Sequence, residues 1–209
     1  MTYISDGQIE SALKPYGIAA SSELASMIPT YISLLLKWNR TISLTTVTDV
    51  DEILRFHFGE SLFALTQLSI ENGRLADVGS GAGFPGIPLA MVAQAVKVTL
   101  IESNARKFAF LNEIIRELRL KNVVALRCRM EEVNRPDQRF NFITARALGQ
   151  FGELLKWSRK QLTPAGNLIL WLGEEDVREI SDVPEWSWSP QIAIPGSERR
   201  FILFGTPKI

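Results

Sequence analysis

The stretch Ala76-Asp77-Val78-Gly79-Ser80-Gly81-Ala82-Gly83-Phe84-Pro85-Gly86 sets four glycines and a proline directly behind one carboxylate. Bare backbone of this kind suits a flat ligand. Side chains at Gly79, Gly81 and Gly83 would stand in its way, and Pro85 or Pro88 can open the following helix without wasting an N–H. A purely structural turn accounts for one or two of these glycines, so the set favours a nucleotide-like ligand. Gly81, Gly83 and Gly86 also satisfy the dinucleotide spacing G-x-G-x-x-G, a weak signal alone.

The acids separate the two ligand classes. A diphosphate is anionic, whereas S-adenosylmethionine presents an ammonium and a sulfonium, so Asp77 beside the loop helps the second and hinders the first. Glu102 ends the next apolar segment, where an acid can grip both ribose hydroxyls in either class. Glu131 follows a third such segment and could accept from an adenine amine while Met130 packs on the ring. Taken alone, the pair Glu131-Glu132 reads equally well as the start of a helix. Acids behind three successive strands together favour S-adenosylmethionine.

The elements that must position these residues follow from periodicity. Up to residue 72 the chain reads as helical, with Leu24, Ile28, Tyr31, Leu35 and Trp38 recurring at helical spacing. Pro29 marks either a kink or a late helix start, and Asp49 can cap a second helix reaching about Leu68. After Gly73 short apolar strands alternate with amphipathic helices. RLADV, VKVTLIE, NVVALRC, FNFITAR and NLILWL read as strands, GIPLAMVAQA as a helix, and a further helix spans about Gln150 to Leu162. A strongly amphipathic helix over residues 104–120 shows Phe108, Leu111, Ile115 and Leu118 on one face. This alternation predicts an α/β fold with a parallel sheet covered on both faces, and SPQIAI, Pro195-Gly196 and RRFILFG predict an antiparallel hairpin at its edge. The expected division is a helical extension, 1–72, packed as one unit with a sheet domain, 73–209.

Composition excludes several classes. The 209 residues, 46% hydrophobic, suffice for one well-buried domain. No apolar run reaches the roughly 18 residues of a membrane helix, and the N-terminus lacks the order of a secretory signal, so a cytoplasmic protein is expected. One cysteine, Cys128, and one histidine, His57, leave no metal cluster. Net charge is zero, but residues 1–72 hold four Lys/Arg against eight Asp/Glu, and residues 104–129 reverse that balance. A solvated helix face explains the reversal as readily as an anion-binding surface does.

The segments WNRTISLTTV, HFGESL, ADVGSGAGFPGIPLA, LIESNARKFAFLNEI, RMEEV, ITARAL and SERRFILF, in this order over residues 31–204, resemble the GidB family of bacterial ribosomal RNA methyltransferases, also called RsmG. The resemblance implies a class I methyltransferase fold, Rossmann-like and mostly parallel with seven strands, plus the helical extension. It implies S-adenosylmethionine as methyl donor and N7 of a guanine in 16S ribosomal RNA or the small ribosomal subunit as acceptor. Matched positions put cofactor contacts on Gly79, Phe84, Met130, Glu131 and Arg146. A monomer is expected.

The residues agree with that target. Guanine N7 carries an in-plane lone pair and no proton, so attack on a methyl group requires alignment rather than a base. The Asn/Asp-Pro-Pro-aromatic pattern of amine methylation is replaced by Thr144-Ala145-Arg146-Ala147-Leu148, and Cys128, expected inside a strand, makes a poor nucleophile for pyrimidine carbon chemistry. Arg146 could bind the cofactor carboxylate, a phosphate or guanine O6, its bland alternative being a salt bridge to Asp77 or Glu131. His57 reads as structural. Trp38-Asn39 and Glu60-Ser61 are expected to pin the helical extension to the sheet domain; Trp157, Trp171, Trp186 and Trp188 could stack a flipped base, though Trp157 and Trp171, in expected regular elements, read more simply as core. RNA contacts are expected from Arg106, Lys107, Arg116, Arg119, Arg199 and Arg200. Three positions depart from the family pattern: Phe56 replaces an arginine, Ser43 an asparagine and Leu172 a lysine. A methyltransferase for a small acceptor, or a redox protein binding a nicotinamide dinucleotide, are the rival readings.

Overall fold

A computed structural model describes residues 4–134, 136–146, 149 and 151–208. Ala147 and Leu148, which complete the segment after the fourth strand, and Gln150, the expected start of the helix that follows, lie outside the described residues.

Helices α1 (Asp6–Leu13) and α2 (Ser22–Asn39) start at Ser5 and Ser21, whose side chains accept from Gln8 N and Leu24 N. Pro29 lies inside α2, so it marks no late start: the apolar stripe Leu24, Ile28, Tyr31, Ile32 and Leu35 is buried on both sides of it, and burial outweighs the lost backbone bond. Asp49 caps the second helical region as expected, accepting from Glu52 N at 3.0 Å. That region is not a uniform helix. A short α3 (Val50–Glu52) runs into a π-helical stretch, Ile53–Gly59, and then α4 (Glu60–Gln67). The widened turn carries His57 and delivers Glu60 inward, and π-helical insertions often accompany functional sites.

The sheet holds β1 (Gly73–Val78), β2 (Val96–Ile101), β3 (Val123–Leu126), β4 (Phe140–Arg146), β5 (Leu162–Gly173), β6 (Trp186–Trp188), β7 (Ile192–Ala193) and β8 (Arg200–Pro207). Seven of these follow the order β3-β2-β1-β4-β5-β8-β6, and the two-residue β7 also pairs with β8. The first five are mutually parallel, and β8 runs antiparallel to β5. The expected hairpin is therefore present as β7 and β8, turning at Gly196 with φ +74°, and β6 is an additional strand on the same edge of β8. Strand β5 begins five residues earlier than NLILWL suggests.

Alternation with period two splits the core. Ile169 and Trp171 join α2, α4, α5 (Gly86–Val92) and α6 (Ala105–Glu117) on one face, while Leu168, Leu170 and Leu172 join α7 (Phe151–Gln161) and α8 (Glu174–Ser181) on the other. The first cluster is continuous from Ile9 of α1 to Ile202 of β8. The buried face of α6 centres on Phe110, Leu111 and Ile114, one step round from the expected face, with Phe108, Ile115 and Leu118 at its margin.

Trp38 pins helix to helix: its Nε1 donates to Glu113 Oε2 at 2.8 Å, joining α2 to α6. Trp171 ties β5 to α4 by donating to the Glu60 carbonyl at 2.8 Å. Asn39 instead organises its own loop, accepting from Leu44 N and Thr45 N and donating to Thr45 O. Trp38→Phe keeps the ring and deletes a bond to a half-buried carboxylate, so a loss of about 1–2 kcal/mol is expected in urea unfolding. No change would mean that the bond exchanges freely with water.

Candidate active site

Strand β1 pairs with β2 on one side and β4 on the other, so the order of strand addition reverses at β1 and leaves a crevice at its carboxyl end. A cavity of about 300 Å³ occupies it, lined by Val78, Gly79, Ile101, Glu102, Ser103, Cys128, Arg129, Met130, Glu131 and Leu154. Of the residues singled out from the sequence, Gly79, Glu102, Met130 and Glu131 meet here. Gly81 joins them through its N–H, which donates to Glu102 Oε2 at 2.9 Å; Asn104 N donates to Glu102 Oε1 at 2.7 Å. Each carboxylate oxygen keeps a lone pair for a further donor.

The four glycines divide by cause. Gly79 and Gly81 have φ of +69° and +54°, and a β-carbon on Gly81 would meet only Gly79 O, at 3.7 Å. Packing does not require Gly81 bare; left-handed backbone does, and it favours glycine at Gly79 as well. Gly83 and Gly86 are structural. A β-carbon on Gly83 would lie 2.5 Å from Tyr31 Oη, and one on Gly86 would lie 2.7 Å from Asp77 Oδ2. Packing thus accounts for Gly83, which does not line the cavity.

Asp77 and Phe84 stand behind the loop rather than in the cavity wall. Asp77 is 1% exposed and accepts from Thr144 Oγ1 at 2.8 Å. Phe84 is stacked between Tyr31, at 5.1 Å, and His57, at 4.6 Å. His57 is structural as expected: Nε2 pairs with Thr45 Oγ1 at 2.8 Å. Arg146 binds neither Asp77 nor Glu131; its Nη2 lies 2.9 Å from Glu60 Oε2. That partner is 86 residues away in sequence. Cys128 lies beyond β3, half-buried in the cavity wall beside Met130, rather than inside a strand.

The basic residues expected to hold RNA do not form one surface. Arg106 and Lys107 occupy the first turn of α6 beside the cavity, whereas Arg116 and Arg119 lie at its other end, about 15 Å away by helical rise. Arg116 is paired with Glu117 at 3.0 Å. Arg199 is exposed on the β7–β8 turn, and Arg200 reaches Glu60 Oε1 at 2.8 Å. Leu172 packs in the second core cluster, and Trp157 and Trp186 are core, with Trp188 stacked on Trp186 at 5.4 Å. Sequence reasoning missed Val78, Ile101, Ser103, Arg129 and Leu154. The first three sit at strand ends already identified, so position alone could have supplied them; Leu154, on α7, carried no such signal.

Two buried groups titrate in opposite senses. Burial raises Asp77 from 3.8 to about 6, against hydrogen bonds from Thr144 and Ser80. Burial, then the charge of Arg146, lowers His57 from 6.5 to about 4. Stability from His57 is present above pH 6.5 and is lost as pH falls towards 4. Stability from Asp77 is present below pH 3.8 and is lost as pH rises through 6. At about 1.4 kcal/mol per pKa unit each is worth about 3 kcal/mol, so the two nearly cancel between pH 7 and pH 4. Asp77→Asn should then lose about 3 kcal/mol relative to the wild type over that fall, and His57→Gln should gain as much. Parallel pH profiles of urea midpoints for all three proteins would refute the opposition.

Comparison with known proteins agrees with this architecture. Residues 25–191 match the GidB family model, described as rRNA small subunit methyltransferase G. The chain is 37% identical over 177 residues to ribosomal RNA small subunit methyltransferase G of Halorhodospira halophila, covering 85% of this chain and 83% of that one. Its counterpart in Xanthomonas oryzae is 35% identical over 201 residues, covering 92% and 93%. Among solved structures, a SAM-dependent methyltransferase from Aquifex aeolicus superposes with a TM-score of 0.62 at 18% identity, over 75% of this chain and 93% of that one, which places the fold among class I methyltransferases. No helix among the described residues is long and apolar enough to cross a membrane. With a family model spanning most of its length and relatives matched nearly end to end, the chain belongs to the GidB family of rRNA small subunit methyltransferases.

Proposed function

We propose that this protein methylates N7 of a guanine in 16S ribosomal RNA, using S-adenosylmethionine, as a cytoplasmic monomer whose residues 1–72 extend a catalytic domain of residues 73–209. The observation that carries the cofactor is how the loop spends its amides. Gly79 N and Ser80 N donate to Ile101 O, Gly83 N donates to Ser80 O, and Gly81 N donates to Glu102. A diphosphate needs these donors free. A cofactor without phosphates does not, and the neighbouring carboxylates Glu102 and Glu131 suit hydroxyls, an amine and positive charge.

The residues fit S-adenosylmethionine. Glu102 would accept from the ribose hydroxyls, Met130 and Glu131 would take the adenine, and the left-handed backbone at Gly79 and Gly81 would let the loop approach closely. The bound cofactor supplies an electrophilic methyl group on sulfur. Asp77, beneath the loop, adds negative potential without contact. Arg146, at the end of β4, would help hold the acceptor nucleotide in line, leaving N7 free to attack. No base is required, in keeping with a lone histidine that burial turns into a weak base and whose Nε2 is engaged by Thr45 Oγ1. Cys128 lies at the Met130 end of the cavity, away from Arg146, which argues against a covalent carbon methylation.

The test is direct: incubate the protein with methyl-labelled S-adenosylmethionine and unmodified small-subunit RNA, free and as assembled particles, then digest and locate the label. Label on N7 of one guanine is expected. Transfer to a small acceptor with none to RNA would overturn this reading.

A further inference from the structure

Arg146 and Arg200 reach one acid from different strands. Arg146 closes β4, Arg200 opens β8 opposite Gly173, and both lie at the edge of the sheet that carries the cavity. Glu60 lies between them, with Oε2 2.9 Å from Arg146 Nη2 and Oε1 2.8 Å from Arg200 Nη2. The acid's side chain is 1% exposed, whereas those of the arginines are 20% and 40% exposed. Two cations therefore cover one buried carboxylate, leaving a local excess of one positive charge.

The arrangement is braced. The Arg200 guanidinium lies 4.7 Å from the centre of the Phe56 ring, a cation–π contact made by the residue that departs from the family pattern. Trp171 fixes the Glu60 backbone. Among the described residues Arg146 Nη1 and Arg200 Nε have no hydrogen-bond partner, but both atoms are buried, so an anion would be met by the exposed part of each guanidinium. Guanidinium forks held in place, partly exposed and incompletely paired match the tetrahedral oxygens of a phosphate. Neither arginine lines the cavity beside Glu102 and Glu131.

We propose that Glu60 and Phe56 hold Arg146 and Arg200 as a two-guanidinium clamp for a backbone phosphate of the RNA, beside the nucleotide to be methylated. This rests on the reading of RNA as acceptor. Glu60 and Phe56 are positioning residues: they touch the arginines and not the RNA.

The test uses the full chain and unmodified small-subunit RNA, with binding measured over a salt series and S-adenosylmethionine affinity measured by calorimetry. Arg200→Ala should weaken RNA binding about tenfold and reduce the salt slope by about one phosphate, with cofactor affinity unchanged. Arg200→Lys, which keeps the charge if alanine disturbs folding, should preserve the slope and lose affinity severalfold, because the fork is gone. Glu60→Gln should retain RNA affinity within about threefold yet lower turnover at saturating RNA by about tenfold or more, a split that general loosening would not produce. Unchanged affinity and slope in folded Arg200→Ala would overturn the clamp, as would an equal loss of cofactor binding. Wild-type protein that binds no RNA would overturn the acceptor reading itself, and the clamp with it.

Discussion

Replacing Arg146 with alanine is expected to give a folded protein that binds S-adenosylmethionine within about threefold of the wild type and transfers methyl groups to RNA about 100- to 1000-fold more slowly. The fold should survive because Glu60 keeps Arg200, at 2.8 Å, after losing Arg146. Removing one of two partners from a buried carboxylate should cost about 1–3 kcal/mol, and urea unfolding measures it. Cofactor affinity should survive because Arg146 lies outside the cavity wall. Turnover should not survive, because attack by an in-plane lone pair depends on holding the base in line, and Arg146 is the cation at the end of β4, next to the carboxyl end of β1. Single-turnover methyl transfer is the decisive measurement. A folded alanine variant with the wild-type rate would remove Arg146 from the reaction.

Gly83→Ala should be the most damaging single methyl group in the loop. It places an L-residue at φ +90° with its β-carbon 2.5 Å from Tyr31 Oη and 2.6 Å from Ile87 Cδ1. Ile87 can yield at its tip. Tyr31 cannot, because it is fully buried, donates to Ala82 O and stacks on Phe84. Backbone strain of about 1–2 kcal/mol and an unpaired buried hydroxyl of about 1–3 kcal/mol give an expected loss of about 4 kcal/mol. Gly81→Ala provides the contrast. It shares a left-handed φ but has open space around the new carbon, so its stability loss should be about 1–2 kcal/mol and its larger effect should fall on cofactor affinity. Thermal unfolding with and without S-adenosylmethionine separates the two. Equal losses of stability would show that the loop glycines share one role.

Much of this protein was legible as a string of residues. Strand–helix alternation after Gly73, the cap at Asp49, and the placing of Glu102, Met130 and Glu131 behind successive strands all follow from periodicity, turn chemistry and chain order, which depend on residues close in sequence. Three-dimensional packing decided what neighbours in sequence cannot encode. It separated Gly81 from the tightly packed Gly83 and Gly86, carried α2 through Pro29, widened the helix ahead of Glu60, and set Arg106 and Arg116 at opposite ends of α6. It also chose the partner of Arg146. Asp77, Glu131 and Glu60 are equally acidic on paper, but Asp77 is enclosed beneath the loop and Glu131 faces the cavity, while the π-helical turn brings Glu60 between the ends of β4 and β8. An ion pair spanning 86 residues is fixed by strand order and burial rather than by any local preference of the residues that form it.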